Sequence, residues 1–234
     1  MRQTIKTGLA AILLLAVSCK KETTNRQSYV TGNDVSDITA GKYAHVRIGN
    51  QVWMLKNLDV TRYRNGDKIP YVKSPTEWAA LTTGAWCWYK NDSATGAVYG
   101  KLYNWFAVND PRGLAPMGWH VPSKIEWDTL VTRLGRNGGG KLKDTGTIEA
   151  GTGLWRAPNK NANNKSGFTA LPGGERVYDG QCGYLGDFGA WWSTTEYFTQ
   201  MAAETFKLYS STGEYVVGLA YQKTYGISVR CIKD

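Results

Sequence analysis

The ten residues from Gly118 to Trp127, Gly-Trp-His-Val-Pro-Ser-Lys-Ile-Glu-Trp, specify a helix start. Ser123 followed three residues later by Glu126 is a capping box. The serine hydroxyl accepts from the Glu126 amide, and the Glu126 carboxylate accepts from the Ser123 amide. Pro122 stands just before the cap, where its locked φ costs no hydrogen bond. Trp127, Leu130, Val131 and Leu134 then fall at i, i+3, i+4 and i+7, a single apolar face. Gly135 and the Gly138-Gly139-Gly140 run end the helix. A short extended segment bearing Trp119 therefore turns into a helix of about three turns.

The rest of the chain is built from short strands and long loops. Ala44, Val46 and Ile48 alternate on one face of a strand, Gly49-Asn50 turns, and Gln51, Trp53 and Leu55 return on that face. His45 then points the other way, beside Arg47, as a surface strand residue. Trp86-Cys87-Trp88-Tyr89 reads as a buried strand broken by Asn91-Asp92 and Gly96. Gly100 opens a second helix, with Leu102, Trp105 and Phe106 on one face, stopped before Pro111. From Gly135 to Gly174 regular structure is scarce, and Trp155, Phe168 and Leu171 pin the excursion to the core. Strands follow at 191–195, 205–209, 215–219 and 226–232; in the last, Ile227, Val229 and Cys231 alternate with Ser228 and Arg230. The pattern is α+β, with short antiparallel strands, two helices and long loops.

The first residues are an address. Arg2 and Lys6 precede an apolar run from Leu9 to Val17, the layout of a signal peptide over residues 1–18. Ala16-Val17-Ser18-Cys19 resembles the lipobox of bacterial lipoproteins, in which the cysteine after the cleavage site carries the lipid. Cys19 is therefore expected to be the attachment point. Residues 19–40 are too polar to bury themselves and form a tether, and the domain occupies residues 41–234. No interior stretch is long and apolar enough to span a bilayer. The expected address is the outer membrane, lipid-anchored on the periplasmic or cell-surface side. The formal charge of +9 falls to +7 without Arg2 and Lys6. The remaining cations are dispersed, with no dense basic arm, so nucleic acid is not an expected partner.

Six motifs in order carry a family resemblance. They are Val52-Trp53-Met54-Leu55-Lys56-Asn57-Leu58, Tyr99-Gly100-Lys101-Leu102-Tyr103-Asn104-Trp105, Gly118-Trp119-His120-Val121-Pro122-Ser123, Leu171-Pro172-Gly173-Gly174, Trp191-Trp192-Ser193 and Ser228-Val229-Arg230-Cys231. Together they resemble the Fibrobacter succinogenes major paralogous domain, found in lipoproteins and surface proteins of Bacteroidota and Fibrobacterota. The resemblance implies a C-type-lectin-like fold, distantly similar to formylglycine-generating enzymes. Cys87 and Cys231 match family positions, and the resemblance implies a bridge between them, leaving Cys182 over. Residue counting alone leaves all three pairings open.

The sequence offers little catalytic chemistry. His120 lies between Trp119 and Val121, and Glu126 is committed to the cap, so no catalytic residue is assigned. The two histidines are far apart and no Cys-x-x-Cys occurs, so neither a metal nor a cofactor is expected. The closely spaced cysteine pair of formylglycine-generating enzymes is missing, since Cys182 and Cys231 are 49 residues apart. The Glu-Pro-Asn or Gln-Pro-Asp signature of calcium-dependent lectins is missing too. An enzyme of the formylglycine-generating type, a hydrolase of cell-surface polymer and a structural envelope protein are the alternatives to the favoured reading. That reading is a binding or surface-interaction domain for a glycan or a protein. A C-type-lectin-like fold presents its binding face on the loops between the last strands, which places Glu196, Tyr197, Gln200, Tyr209, Glu214, Tyr221, Gln222 and Lys223 in the ligand-binding set. Their rings and polar groups offer flat stacking surfaces and hydrogen bonds.

Overall fold

The computed structural model describes residues 43–234. The expected signal peptide, the expected lipid-attachment residue Cys19 and the expected tether lie outside the described residues. Strands β1 (His45–Ile48) and β2 (Gln51–Met54) form the expected hairpin, with Ile48 opposite Gln51. Gly49 takes the positive φ of 63° that the two-residue turn demands. Val46, Ile48 and Trp53 are buried, whereas Arg47 is exposed.

The described residues contain five α-helices where two were expected, and local chemistry explains the others. Ser74 caps α1 (Pro75–Ala79), with Pro75 in the first turn. After β3 (Trp86–Cys87), which stops two residues earlier than expected, Asp92 caps α2 (Ser93–Tyr99) by accepting from the Ala94 and Thr95 amides. Asp92 is therefore a helix start, not only a strand stop. Leu102 belongs to β4 (Leu102–Tyr103), paired with β3, and not to a helix. The helix expected from Gly100 begins later, as α3 (Trp105–Val108), because Asn104 Oδ1 accepts from the Ala107 amide at 3.1 Å and from the Ala85 amide at 2.9 Å.

Strand β5 (Trp119–His120) leads into α4 (Lys124–Leu134), where the capping box of Ser123 and Glu126 is formed in both directions. Gly135, at φ +66°, ends α4, but Gly138-Gly139-Gly140 opens α5 (Gly138–Leu142). A Cβ on Gly139 would stand 2.3 Å from the Glu214 carbonyl oxygen, and one on Gly140 2.3 Å from that of Asn161. These glycines permit backbone-to-backbone approach and do not terminate anything. The long excursion beyond is held by Trp155 and Phe168, both fully buried. It is also held by Lys143, whose buried ammonium donates to the carbonyls of Lys160, Tyr209 and Thr212 at 3.0, 2.9 and 2.9 Å.

The small strands β6 (Glu175–Arg176) and β7 (Cys182–Gly183) pair with each other. Strands β8 (Phe188–Glu196), β9 (Ala202–Tyr209) and β10 (Tyr215–Gln222) make an antiparallel sheet in the order β10-β9-β8. A second sheet runs β1-β2-β11-β5, with β11 (Ile232–Lys233) between β2 and β5. The strand expected over 226–232 is replaced by single bridges, Tyr103 with Ile227 and Trp191 with Ser228, before β11. Ile227, Val229 and Cys231 are buried as the alternation requires, but so are Ser228 and Arg230. This segment threads through the middle of the molecule with both faces covered. Helix α4 lays its apolar face on the β8–β10 sheet, where the Trp127 ring stacks on Phe206 at 4.5 Å.

Candidate functional site

Alternation along β9 divides its side chains. Phe206 and Leu208 face α4, so Thr205, Lys207 and Tyr209 occupy the opposite face. A strand lysine on that side is ordinarily solvated. Here it is only 5% exposed, because Glu175 of β6 and three aromatic rings close over it. The Lys207 ammonium lies 3.3 Å from the centre of the Phe188 ring, 5.0 Å from that of Tyr221 and 5.2 Å from that of Tyr209. It donates to the Tyr221 hydroxyl, which in turn donates to Glu175 Oε2 at 2.7 Å. Lys207 and Glu175 stand 3.8 Å apart.

Burial sets the electrostatics of this group. It pulls the Lys207 amine down to about 8, with Glu175 opposing the shift, and it raises the Glu175 carboxyl, with Lys207 opposing. The Tyr221 phenol is pushed up, first by burial and then by Glu175 beside it. Tyr221 therefore stays a neutral hydrogen-bond relay between Lys207 and Glu175, the reverse of an activated nucleophile.

The aromatic shell extends outward from these residues. Tyr225 packs on Tyr221 at 4.6 Å and Tyr178 on Tyr225 at 6.0 Å. Tyr184 stacks on Phe188 at 5.2 Å. Tyr178 and Tyr184 are 55% and 56% exposed, so the shell grades from a sealed ionic floor to a solvent-facing rim of tyrosines. This graded tyrosine basin is the candidate site.

Two of the eight expected ligand residues, Tyr209 and Tyr221, meet in the basin. The other six are distributed elsewhere. Glu196 pairs with Lys223, whose ammonium also lies 4.6 Å from the Trp105 ring. Tyr197 packs against the exposed Phe198 in the β8–β9 turn, and Gln200 adopts a positive φ there. Glu214 is exposed in the β9–β10 turn, with its backbone against Gly139. Gln222 ends β10 as an exposed residue. Sequence reasoning missed Lys207, Glu175, Phe188, Tyr178, Tyr184 and Tyr225. Only the lysine gave a signal, as a cation inside a strand otherwise rich in large apolar residues.

His120 is a bridge between carboxylates. Its Nε2 lies 2.7 Å from Glu126 Oε1 and its Nδ1 2.7 Å from Asp234 Oδ1. Glu126 foremost, and then Asp234, hold the imidazole pKa above its ordinary value against the effect of burial. With both nitrogens engaged the ring fastens the C-terminus to the start of α4. His45 contacts the Tyr43 carbonyl at 3.0 Å and has no part in this bridge.

The cysteine pairing implied by the resemblance is not formed. Cys87, Cys182 and Cys231 are free thiols. Cys87 lies in a small cluster with Val72, Trp78 and Leu102, against which Cys182 packs, whereas Cys231 belongs to the main core with Trp119 and Val229. The separation into two clusters explains why those two thiols do not join. Among the described residues no group of three His, Cys, Asp or Glu could hold a metal ion, and no helix is long and apolar enough to cross a membrane.

A family model described as Fibrobacter succinogenes major domain matches residues 46–233. No curated protein and no solved structure matches the chain.

Proposed function

The chain belongs to the Fibrobacter succinogenes major domain family, and from that premise we propose that it is a lipid-anchored envelope protein whose non-enzymatic domain binds a glycan at the tyrosine basin. The observation that carries this reading is the convergence of Tyr209, Tyr221, Tyr225 and Phe188, from three strands and a loop, on the Lys207–Glu175 pair, beneath the exposed rings of Tyr178 and Tyr184. Carbohydrate sites combine flat aromatic surface with a few fixed polar groups, and tyrosine supplies both at low cost in side-chain entropy. The buried ionic floor holds the inner rings in place, so that little order has to be gained on binding.

The anchor is part of the proposal, resting on the leader and Cys19. Cys19→Ala is expected to leave the protein out of the membrane fraction or as unprocessed precursor. Failure of wild-type protein to incorporate labelled palmitate would remove the anchor.

A glycan array probed with residues 41–234, with Tyr178→Ala/Tyr184→Ala as the comparison, tests the binding site. The variant should keep its fold by circular dichroism and lose about tenfold or more in affinity, since stacking on two rings is lost. Unchanged binding by the variant would move recognition elsewhere. A domain that ignores every glycan and instead retains a protein in pull-down would replace the glycan with a protein ligand.

A further inference from the structure

Away from the basin, two cavities meet at Thr61 and Arg62. One, of about 340 Å³, is lined by Arg62, Lys68, Pro70, Tyr71 and Trp86 among others. The other, of about 650 Å³, takes in Lys56 and Asp59 along with Arg62. Arg62 and Lys68 sit directly opposite each other in an isolated antiparallel bridge. Like charges directly opposite each other in such a bridge disfavour the free protein. Among the described residues neither has an ion-pair partner. Arg62 directs one N–H to the Gly66 carbonyl at 2.7 Å, which leaves most of its donors unused.

The acid in the wall does not relieve this. Asp59 is paired with Lys101, whose ammonium also lies 4.6 Å from the Trp86 ring. The aromatic part of the wall is rigid. Tyr71 and Trp86 stack at 4.4 Å with 9° between their planes, Trp88 meets Tyr71 edge-on at 5.2 Å, and Trp86 Nε1 donates to the Ile69 carbonyl at 3.0 Å. Lys73 adds a further ammonium 5.1 Å from the Tyr71 ring.

We propose that this groove is a second binding site, for an acidic glycan whose sugar rings carry carboxylates. Tyr71, half-buried and backed by Trp86, takes the sugar ring, and the Arg62–Lys68 pair takes the carboxylate, Arg62 through its planar fork and Lys68 as a point charge. A bound carboxylate would also cancel the repulsion between the two cations, so the mismatch in the free protein becomes binding energy. The site uses no residue of the basin and stands whether or not the basin binds a glycan.

Calorimetry with a tetra-uronate and with the neutral tetrasaccharide of the same linkage, at low ionic strength, tests the assignment. The acidic oligomer should bind, the neutral one should not, and affinity should fall as salt is raised. Arg62→Gln/Lys68→Gln should weaken binding by about tenfold or more, while melting no lower than wild type because a repulsion has been removed. Tyr178→Ala/Tyr184→Ala should bind the acidic oligomer as wild type does. Equal affinity for the two oligomers, or full binding by the Gln variant, would overturn the proposal. So would its loss in the basin variant, which would put the anion in the basin. Displacement of the oligomer by an equal concentration of inorganic phosphate would reduce the groove to a simple anion contact, and would overturn it as well.

Discussion

Asn57 Oδ1 accepts from both Nε and Nη2 of Arg230, at 3.1 and 2.9 Å, and from Trp191 Nε1 at 2.8 Å. Arg230 is fully buried, and its guanidinium also donates to the carbonyls of Met54 and Phe168 and lies 4.5 Å from the centre of the Phe168 ring. Burial lowers its pKa, and its charge is met by a neutral amide and backbone dipoles. Asn57 also donates to the Tyr99 carbonyl and to Ser228 Oγ, so one side chain joins its own segment to three others. Asn57→Ala should cost about 3 kcal/mol or more, because it strands a buried cation and an indole N–H together. Urea unfolding reads that loss as a lower midpoint at constant slope. A midpoint within error of wild type would show that Arg230 finds water or another acceptor.

The His120 bridge gives the stability a pH dependence of known sign. The histidine pKa is raised from 6.5, so its contribution is complete below that value and is lost as pH rises through the higher folded value. For Glu126 burial pushes upward, but the His120 and Ser123 donors outweigh it and leave the pKa below 4.5. Its contribution is present above 4.5 and is lost as pH falls through the lower folded value. Both contributions are therefore complete between these ordinary values. The difference in melting temperature between wild type and His120→Gln should be largest near about pH 5.5 and should shrink by about pH 8.5. A constant difference across that range would mean that the imidazole holds the C-terminus without becoming charged.

The helix start carries two effects of different size. Ser123→Ala should cost about 1 kcal/mol by removing the cap. Trp119→Ala should cost on the order of 3–5 kcal/mol, since the ring is fully buried. Trp119→Phe should cost much less, because the buried indole nitrogen has no hydrogen-bond partner to lose. Chemical denaturation of the three variants orders them, and a phenylalanine variant as weak as the alanine one would contradict this reading.

Gly96 lies inside α2, where alanine would ordinarily stabilise by about 1 kcal/mol. A Cβ there would stand 2.1 Å from Trp88 Cδ1, and Trp88 is itself wedged against Tyr71 and Trp86. The net effect of Gly96→Ala should be a destabilisation of about 1–3 kcal/mol. Thermal melts give the sign directly, and a rise in melting temperature would show that the Trp88 ring can move aside.

The features legible in the sequence are those encoded within a few residues. Ser123 and Glu126 announce the cap by spacing, and Gly49-Asn50 announces the hairpin through the handedness of its turn. The α+β class followed from such local signals, and the family from six ordered motifs. The basin was only partly legible. Lys207 and Glu175 are 32 residues apart in the chain, and nothing local says that β6 folds over β9. Tyr209 and Tyr221 belong to the tyrosine and polar set on the loops between the last strands, but that set also takes in Glu196 and Lys223, which neutralise each other beside Trp105. Gly138-Gly139-Gly140 misled because glycine has two uses. Its freedom at positive φ was expected, whereas its smallness beside Glu214 and Asn161 was what the fold required.

Lys143 gathers three carbonyls from distant parts of the chain around one ammonium. Loops elsewhere bring such oxygens together around a dissolved cation, whose occupancy varies with its concentration outside. An ammonium on a covalent stem is present at an effective concentration set by the chain alone. The long excursion between α5 and β6 is thus fastened by a cation that can be neither diluted nor chelated. On the proposed address outside the cytoplasm, where ion content follows the surroundings, the shape of this region is independent of dissolved cations, and it answers only to pH, since burial pulls the Lys143 amine down to about 8.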